Sequence, residues 1–177
     1  EGGVLVGELP GDNIVADIKA VPGGGCFVTW IQNNGGDQNI FTKYLDADGN
    51  GWDEAATLSA AEGEQTNVKV ASIENGIFAV WKDARNGNAD IFGQVLLYDG
   101  TILGEENGFE VSVKAHDQQN AVLTYNPENE DVLVCWQDFE NGADFDVYCR
   151  IINSETLITD DEINMAVFAG SGQTNPF

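Results

Sequence analysis

An all-β chain of three consecutive four-stranded repeats is the architecture this sequence predicts, and three observations predict it. Short runs rich in Val, Ile, Phe and Trp alternate with Gly, Asn and Asp, and no stretch holds a 3.6-residue apolar period over a helical length. Three segments superimpose: Phe27-Val28-Thr29-Trp30, Phe78-Ala79-Val80-Trp81 and Leu133-Val134-Cys135-Trp136, with tryptophans 51 and 55 residues apart. The strand ending at each Trp is apolar almost throughout, as in Ile77-Phe78-Ala79-Val80-Trp81. A strand apolar on both faces must be covered on both faces.

The elements of each unit follow in a fixed order. A polar Gln or Asn opens it, and an alternating stretch comes next: Asn13 leads to Val15 and Ile18, Gln65 to Val68 and Val70, Gln119 to Val122. The Trp strand is second, expected near residues 26–31, 76–82 and 131–137. A loop rich in Asn, Gly and Asp separates it from a third strand near residues 39–45, 90–97 and 146–152. The third strands open with Asn39-Ile40-Phe41, Asp90-Ile91-Phe92 and Asp146-Val147-Tyr148, placing an aromatic 11, 11 and 12 residues after the Trp. Turn signals close them at Asp48-Gly49-Asn50-Gly51 and Asp99-Gly100, and more weakly at Asn153-Ser154-Glu155. Short fourth segments end the unit, clearest at Ile102-Leu103-Gly104-Glu105 and Phe109-Glu110-Val111.

A unit of about 50 residues with four strands, stacked face to face around an axis, is a β-propeller blade. A long β-sandwich is the alternative, but it does not explain a matched repeat. The expected organisation is a single partial propeller over residues 1–177. Residues 1–11 end a preceding blade, residues 12–63, 64–116 and 117–171 are whole blades, and residues 172–177 begin a following one. Val4-Leu5-Val6 is expected to run as an outer strand, since Gly2-Gly3-Val4-Leu5-Val6-Gly7-Glu8 matches Gly100-Thr101-Ile102-Leu103-Gly104-Glu105. Closed propellers use about 4–8 blades, so three blades are expected to belong to something larger.

Composition excludes several classes. Thirty Asp and Glu against seven Lys and Arg leave a net charge of −23, which repels nucleic-acid backbones and anionic membrane surfaces. A hydrophobic content of 42% is too high for a disordered chain. No apolar run nears the roughly 18 residues of a membrane span. One histidine leaves little for histidine metal sites or Ser-His and Cys-His catalysis. The acidic surface fits plain solubility, in salt that screens its self-repulsion, or an exterior rich in divalent cations.

The segment Trp81-Lys82-Asp83-Ala84-Arg85-Asn86-Gly87-Asn88-Ala89-Asp90-Ile91-Phe92-Gly93-Gln94 resembles a repeat of the β-propeller regions of secreted and cell-surface bacterial proteins. That repeat runs Trp-x-Asp-x-Arg-x-Gly-x-x-Asp-Ile-aromatic-x-Gln, followed by a Leu-Asp-x-x-Gly turn that Tyr44-Leu45-Asp46-Ala47-Asp48-Gly49-Asn50 resembles. The first unit departs from it at Gln32 and Asn39, and the third keeps Trp136, Asp138, Gly142, Asp146 and Tyr148 without the Arg. The resemblance implies a fold and an extracellular or cell-surface location. Its partners would be a protein or glycan at the cell surface, or the remaining blades of a larger chain. It implies no chemistry.

The functional expectation is a non-catalytic binding or structural module. A lectin or glycan-acting enzyme with its site at the propeller axis is the alternative. No catalytic residue can be singled out, since among 30 acids some carboxylate pair always looks plausible. Asp46, Asp48, Asn50 and Asp53 place oxygens at alternate positions around Gly51, as a calcium loop does, but position twelve is Thr57 where an EF-hand needs Glu. The competing reading is a hairpin turn, with no cofactor. The sets Asp83, Asn86, Asn88, Asp90 and Asp138, Asn141, Asp144, Asp146 read as Asx turns fixing tight loops, or as a carboxylate cluster for a cation or sugar. Trp30, Trp81 and Trp136 end apolar strands and read as core between blades rather than a sugar-stacking row. Trp52, whose counterpart is Leu103, is expected to be exposed, with an unusual core filler as the alternative, and His116 solvated.

Cysteine placement gives one register test. If Trp81 lies opposite Phe92, Trp136 lies opposite Tyr148, and Cys135 then meets Cys149. The pair is either a disulfide or two packed thiols. Cys26 is left as a lone thiol.

Overall fold

The computed structural model describes residues 5–7, 10–140 and 142–166. Among them are thirteen strands and no helix. The strands form three antiparallel sheets in chain order. The first sheet is β1 (Asp12–Ala20), β2 (Cys26–Asn34), β3 (Asp37–Leu45) and β4 (Ala56–Ser59). The second is β5 (Gln65–Ile73), β6 (Gly76–Asp83), β7 (Asp90–Leu97) and a fourth strand split into β8 (Ile102–Leu103) and β9 (Phe109–Ser112). The third is β10 (Gln118–Asn126), β11 (Asp131–Asp138), β12 (Asp146–Asn153) and β13 (Ile163–Ala166).

The two-faced burial of the Trp strands follows from the period of two along a strand. In β6, Ile77, Ala79 and Trp81 pack toward the first sheet, with Phe27, Ile31, Ile40 and Leu58. The alternate residues Phe78 and Val80 pack toward the third, with Val132, Val134, Trp136 and Ile152. The second sheet is thus the filling between the other two. Strands β1, β5 and β10 lie side by side, β5 touching both of the others.

The ladders align the sheets residue by residue. Trp30 faces Phe41, Trp81 faces Phe92 and Trp136 faces Tyr148. One step back, Thr29 faces Thr42, Val80 faces Gly93 and Cys135 faces Cys149. The outer strand of every sheet bulges at one residue, Leu58, Val111 or Met165. The first strand bulges too, between Thr66 and Lys69 in β5 and between Gln119 and Val122 in β10. There Asn67 (φ 55°) and Asn120 (φ 56°) adopt the left-handed conformation that asparagine tolerates better than most side chains. A bulge increases local twist, and these recur where each sheet begins.

Of Val4-Leu5-Val6, Val4 lies outside the described residues; Leu5 and Val6 enter no ladder among the described residues, and Gly7 lies over the Trp30 ring, where an added Cβ would come within 2.6 Å of Cζ2. The expected strand start from Thr174 to Phe177 lies outside the described residues.

Candidate functional site

The repeated Trp-x-Asp motif builds a buried polar cluster, complete in the second sheet. Trp81 and Asp83 are both wholly buried. Two residues apart on one strand they share a face, so the indole Nε1 donates to Asp83 Oδ2 at 2.8 Å. A buried carboxylate needs a cation and further donors, and Arg85 provides both. Its Nε donates to Oδ1 at 2.9 Å, its Nη2 to Oδ2 at 2.6 Å and its backbone N–H to Oδ1 at 3.0 Å. The guanidinium lies 4.0 Å over the Phe92 ring, a stacked bidentate geometry that suits arginine. Nη2 also reaches Asn107 O at 2.7 Å and Ser59 Oγ of the first sheet at 3.4 Å.

The third sheet keeps the cluster but takes its cation from elsewhere. Trp136 Nε1 donates to Asp138 Oδ2 at 3.3 Å, and the Glu140 backbone N–H to Oδ1 at 2.8 Å. Glu140 therefore stands where Arg85 does. The cation is Lys114, from the link between β9 and β10. Its Nζ lies 3.1 Å from Asp138, 3.0 Å from Glu140 and 2.7 Å from Glu162, and 4.4 Å from the centre of the Tyr148 ring. Burial would lower the Lys114 pKa, but the bonds from Glu162, Glu140 and Asp138 outweigh it, and the value is raised. Lys114 in turn lowers that of Glu140. Arg150 extends the network, with Nη2 3.1 Å from Glu162 Oε1 and Nη1 donating to Val111 O of the second sheet at 2.6 Å.

The first sheet lacks the cluster. Gln32 replaces the Asp and donates to Pro10 O, and Trp30 Nε1 finds no acceptor among the described residues although Trp30 is buried. The clusters tie neighbouring sheets together, and both complete ones have their carboxylates neutralised and their indoles in the core. Asp83 and Asp138 are buried, with their oxygens engaged in these bonds.

The loop residues are similarly engaged. Asp90 accepts from Asn86 Nδ2 at 2.9 Å, Asn88 Nδ2 at 3.1 Å and the Lys114 backbone N–H at 3.3 Å. Burial raises its pKa and these bonds offset part of the rise. Asn88 also donates to Lys114 O and His116 O, fastening the loop to the next inter-sheet link. Asp146 lies opposite Asp138 in the ladder and is buried, Asp144 is half-buried, and Asn141 lies outside the described residues.

At the calcium candidate, Asp46 Oδ1 accepts the backbone N–H groups of Asp48 and Asn50, each at 2.9 Å. The turn closes through Asp46 N–H to Asn50 O at 2.7 Å. Asp53 is exposed, and its carbonyl takes Lys43 Nζ at 3.3 Å. Among the described residues no three His, Cys, Asp or Glu side chains converge as metal ligands would. Asp46 acts there as the cap of a hairpin.

Cys135 and Cys149 are joined by a disulfide, with Cα atoms 4.0 Å apart, and Cys26 is a free thiol. His116 is exposed, edge-on to Phe139 at 6.3 Å. Trp30, Trp81 and Trp136 are buried. Trp52 corrects the expectation of exposure: it is half-buried against Phe27 and Tyr44, and its Nε1 donates to Tyr98 O of the second sheet at 3.1 Å. Phe27, Tyr44, Trp52 and Tyr98 form an aromatic knot across the first junction, which an alignment of Trp52 with Leu103 could not disclose.

The chain matches no protein-family model, and neither the curated proteins nor the solved structures contain a significant match to it.

Proposed function

We propose that the chain is a non-catalytic structural or binding module, made of three β-propeller blades of a larger extracellular or cell-surface bacterial protein. One observation carries the reading: the polar and aromatic side chains that recur from unit to unit are consumed in packing one sheet on the next. Repeats keep what the scaffold needs, and a site for chemistry would set one unit apart by leaving such groups open to solvent. The side-by-side placement of β1, β5 and β10 supports a common axis. A disulfide between Cys135 and Cys149 suits an oxidising compartment, and the net charge of −23 speaks against nucleic acid as a partner. The partner class is a protein or glycan at the cell surface.

An experimental structure tests the architecture: the three sheets should radiate from one axis, and a flat β-sandwich would overturn it. A glycan array and a panel of glycosidase substrates test the role. Hydrolysis, abolished by a single carboxylate substitution, would replace the scaffold with the enzyme.

A further inference from the structure

The described residues form two sheet-to-sheet junctions, and both join the same two kinds of face. The face each sheet turns toward its successor carries an aromatic at one position of the Trp strand and the bulged residue of the outer strand. In the first sheet these are Phe27 and Leu58 (0% and 1% exposed), in the second Phe78 and Val111 (both 0%). The same positions in the third sheet are Leu133 and Met165, 37% and 61% exposed. Leu133 and Cys135 with Val122 and Thr124 line an apolar hollow of about 380 Å³. The opposite face behaves likewise. Val70, opposite Ala79, is 3% exposed at the first junction, whereas its counterpart Ile18, opposite Val28, is 58% exposed.

The third sheet therefore displays the face that twice receives a neighbour, and the first sheet displays the face that is twice received. Gly7 covers Trp30 much as Gly108 covers Trp81, within one unit in the latter case, and leaves Ile18 open. A cation is also in place. Lys43, opposite Val28, holds the position of Arg150, opposite Val134, and Arg150 crosses its junction to the carbonyl of the bulged Val111. The matching carbonyl on the third sheet belongs to Met165.

We propose that these two faces bind each other between molecules: the first sheet of one copy seats on the third sheet of a second copy, head to tail. The contact is heterologous, so it builds rings or open chains rather than a symmetric pair. Burial of Ile18, Leu133 and Met165 drives it, and the like charge of the copies opposes it until salt screens the repulsion. The inference rests on the equivalence of the three sheets and concerns the 177-residue chain; in the larger protein proposed above, the same two faces would receive its neighbouring blades.

Sedimentation velocity of the 177-residue chain, over a wide concentration range at low and high salt, tests it. Assembly should grow with concentration and with salt. Ile18→Lys and Met165→Lys each damage one face, and both sites are exposed, so the fold should survive by circular dichroism. Should Met165→Lys unfold, Thr124→Lys probes the same face. Each variant alone should be monomeric. An equimolar mixture should form a one-to-one dimer and nothing larger, because one intact face of each kind remains. Glu106→Gln, an equal charge change in an exposed loop, should assemble like the parent. A parent chain that stays monomeric throughout, a dimer that one variant leaves intact, or a mixture that stays monomeric would each overturn the proposal.

Discussion

Cys135 lies opposite Cys149 across β11 and β12, bonded through sulfur, at the position where the first sheet pairs Thr29 with Thr42. Those hydroxyls are buried and 3.0 Å apart. The second sheet fills the same position with Val80 and Gly93. One cross-strand slot thus accepts a covalent bond, a hydrogen bond or a contact of small groups.

Since two sheets hold this slot without sulfur, the disulfide should add stability and not decide the fold. Reduction, or the double substitution Cys135→Thr with Cys149→Thr, should cost about 3 kcal/mol, the chain-entropy value for a loop of this length. Thermal melts with and without reductant measure it. Loss of the β11–β12 amide pairing at room temperature in the reduced chain would show the bond to be essential.

Trp81→Ala should cost about 3–5 kcal/mol, as truncating a buried large aromatic does, with no change in any ligand binding. An unchanged melting temperature with binding lost would make Trp81 a recognition residue.

Trp→Phe separates the indole N–H from the ring. At position 81 the change removes the donor to a buried carboxylate and should cost about 1–3 kcal/mol more than the same change at position 30, where Nε1 finds no acceptor among the described residues. Denaturant unfolding of the two variants gives the difference. Equal losses would mean that the Trp81–Asp83 bond contributes nothing net.

Arg85→Glu should be strongly destabilising, leaving Asp83 buried beside a second anion at a cost of about 3–5 kcal/mol. Ala61 occupies in the first link the place Lys114 holds in the second, two residues beyond the paired Ser59 and Ser112. Adding Ala61→Lys should therefore restore part of the loss by rebuilding the third-sheet arrangement. A double-mutant cycle reads the coupling; a coupling near zero would refute the equivalence of the two cations.

Lys114→Met should cost about 2–3 kcal/mol at neutral pH, less than for a fully buried pair because Lys114 keeps some contact with water. Glu140 has a lowered folded pKa, so its contribution is present above the unfolded value of about 4.3 and fades as the pH falls through the lowered one. Lys114 has a raised one, so its contribution is present below about 10.4 and fades as the pH rises through the raised value. Melting curves of parent and variant should therefore differ most near neutrality and converge in acid. A difference independent of pH would assign the loss to packing alone.

The repeat itself was written in the sequence. Apolar runs ending at Trp30, Trp81 and Trp136, with a nearly constant spacing to the next aromatic, set strands, hairpins and register, because a strand's period of two leaves little choice once both faces must be covered. The pairing of Cys135 with Cys149 followed from that register alone. The asparagine that opens each bulge, Asn67 or Asn120, also recurs in the sequence, two residues after Gln65 and Gln118, and could have been read as a left-handed position.

What only the tertiary structure decided are the contacts between units. Lys114 serves Asp138 from 24 residues away, and no local motif marks a lysine as the replacement for an arginine missing from a different loop. Trp52 finds Tyr98 of the next sheet, and Ile18, Leu133 and Met165 stay exposed only because no fourth sheet lies against them among the described residues. Local pattern fixes which face a side chain takes, since that depends on its own strand. Which neighbour meets that face, and which charge satisfies it, depends on how separate sheets are brought together in space.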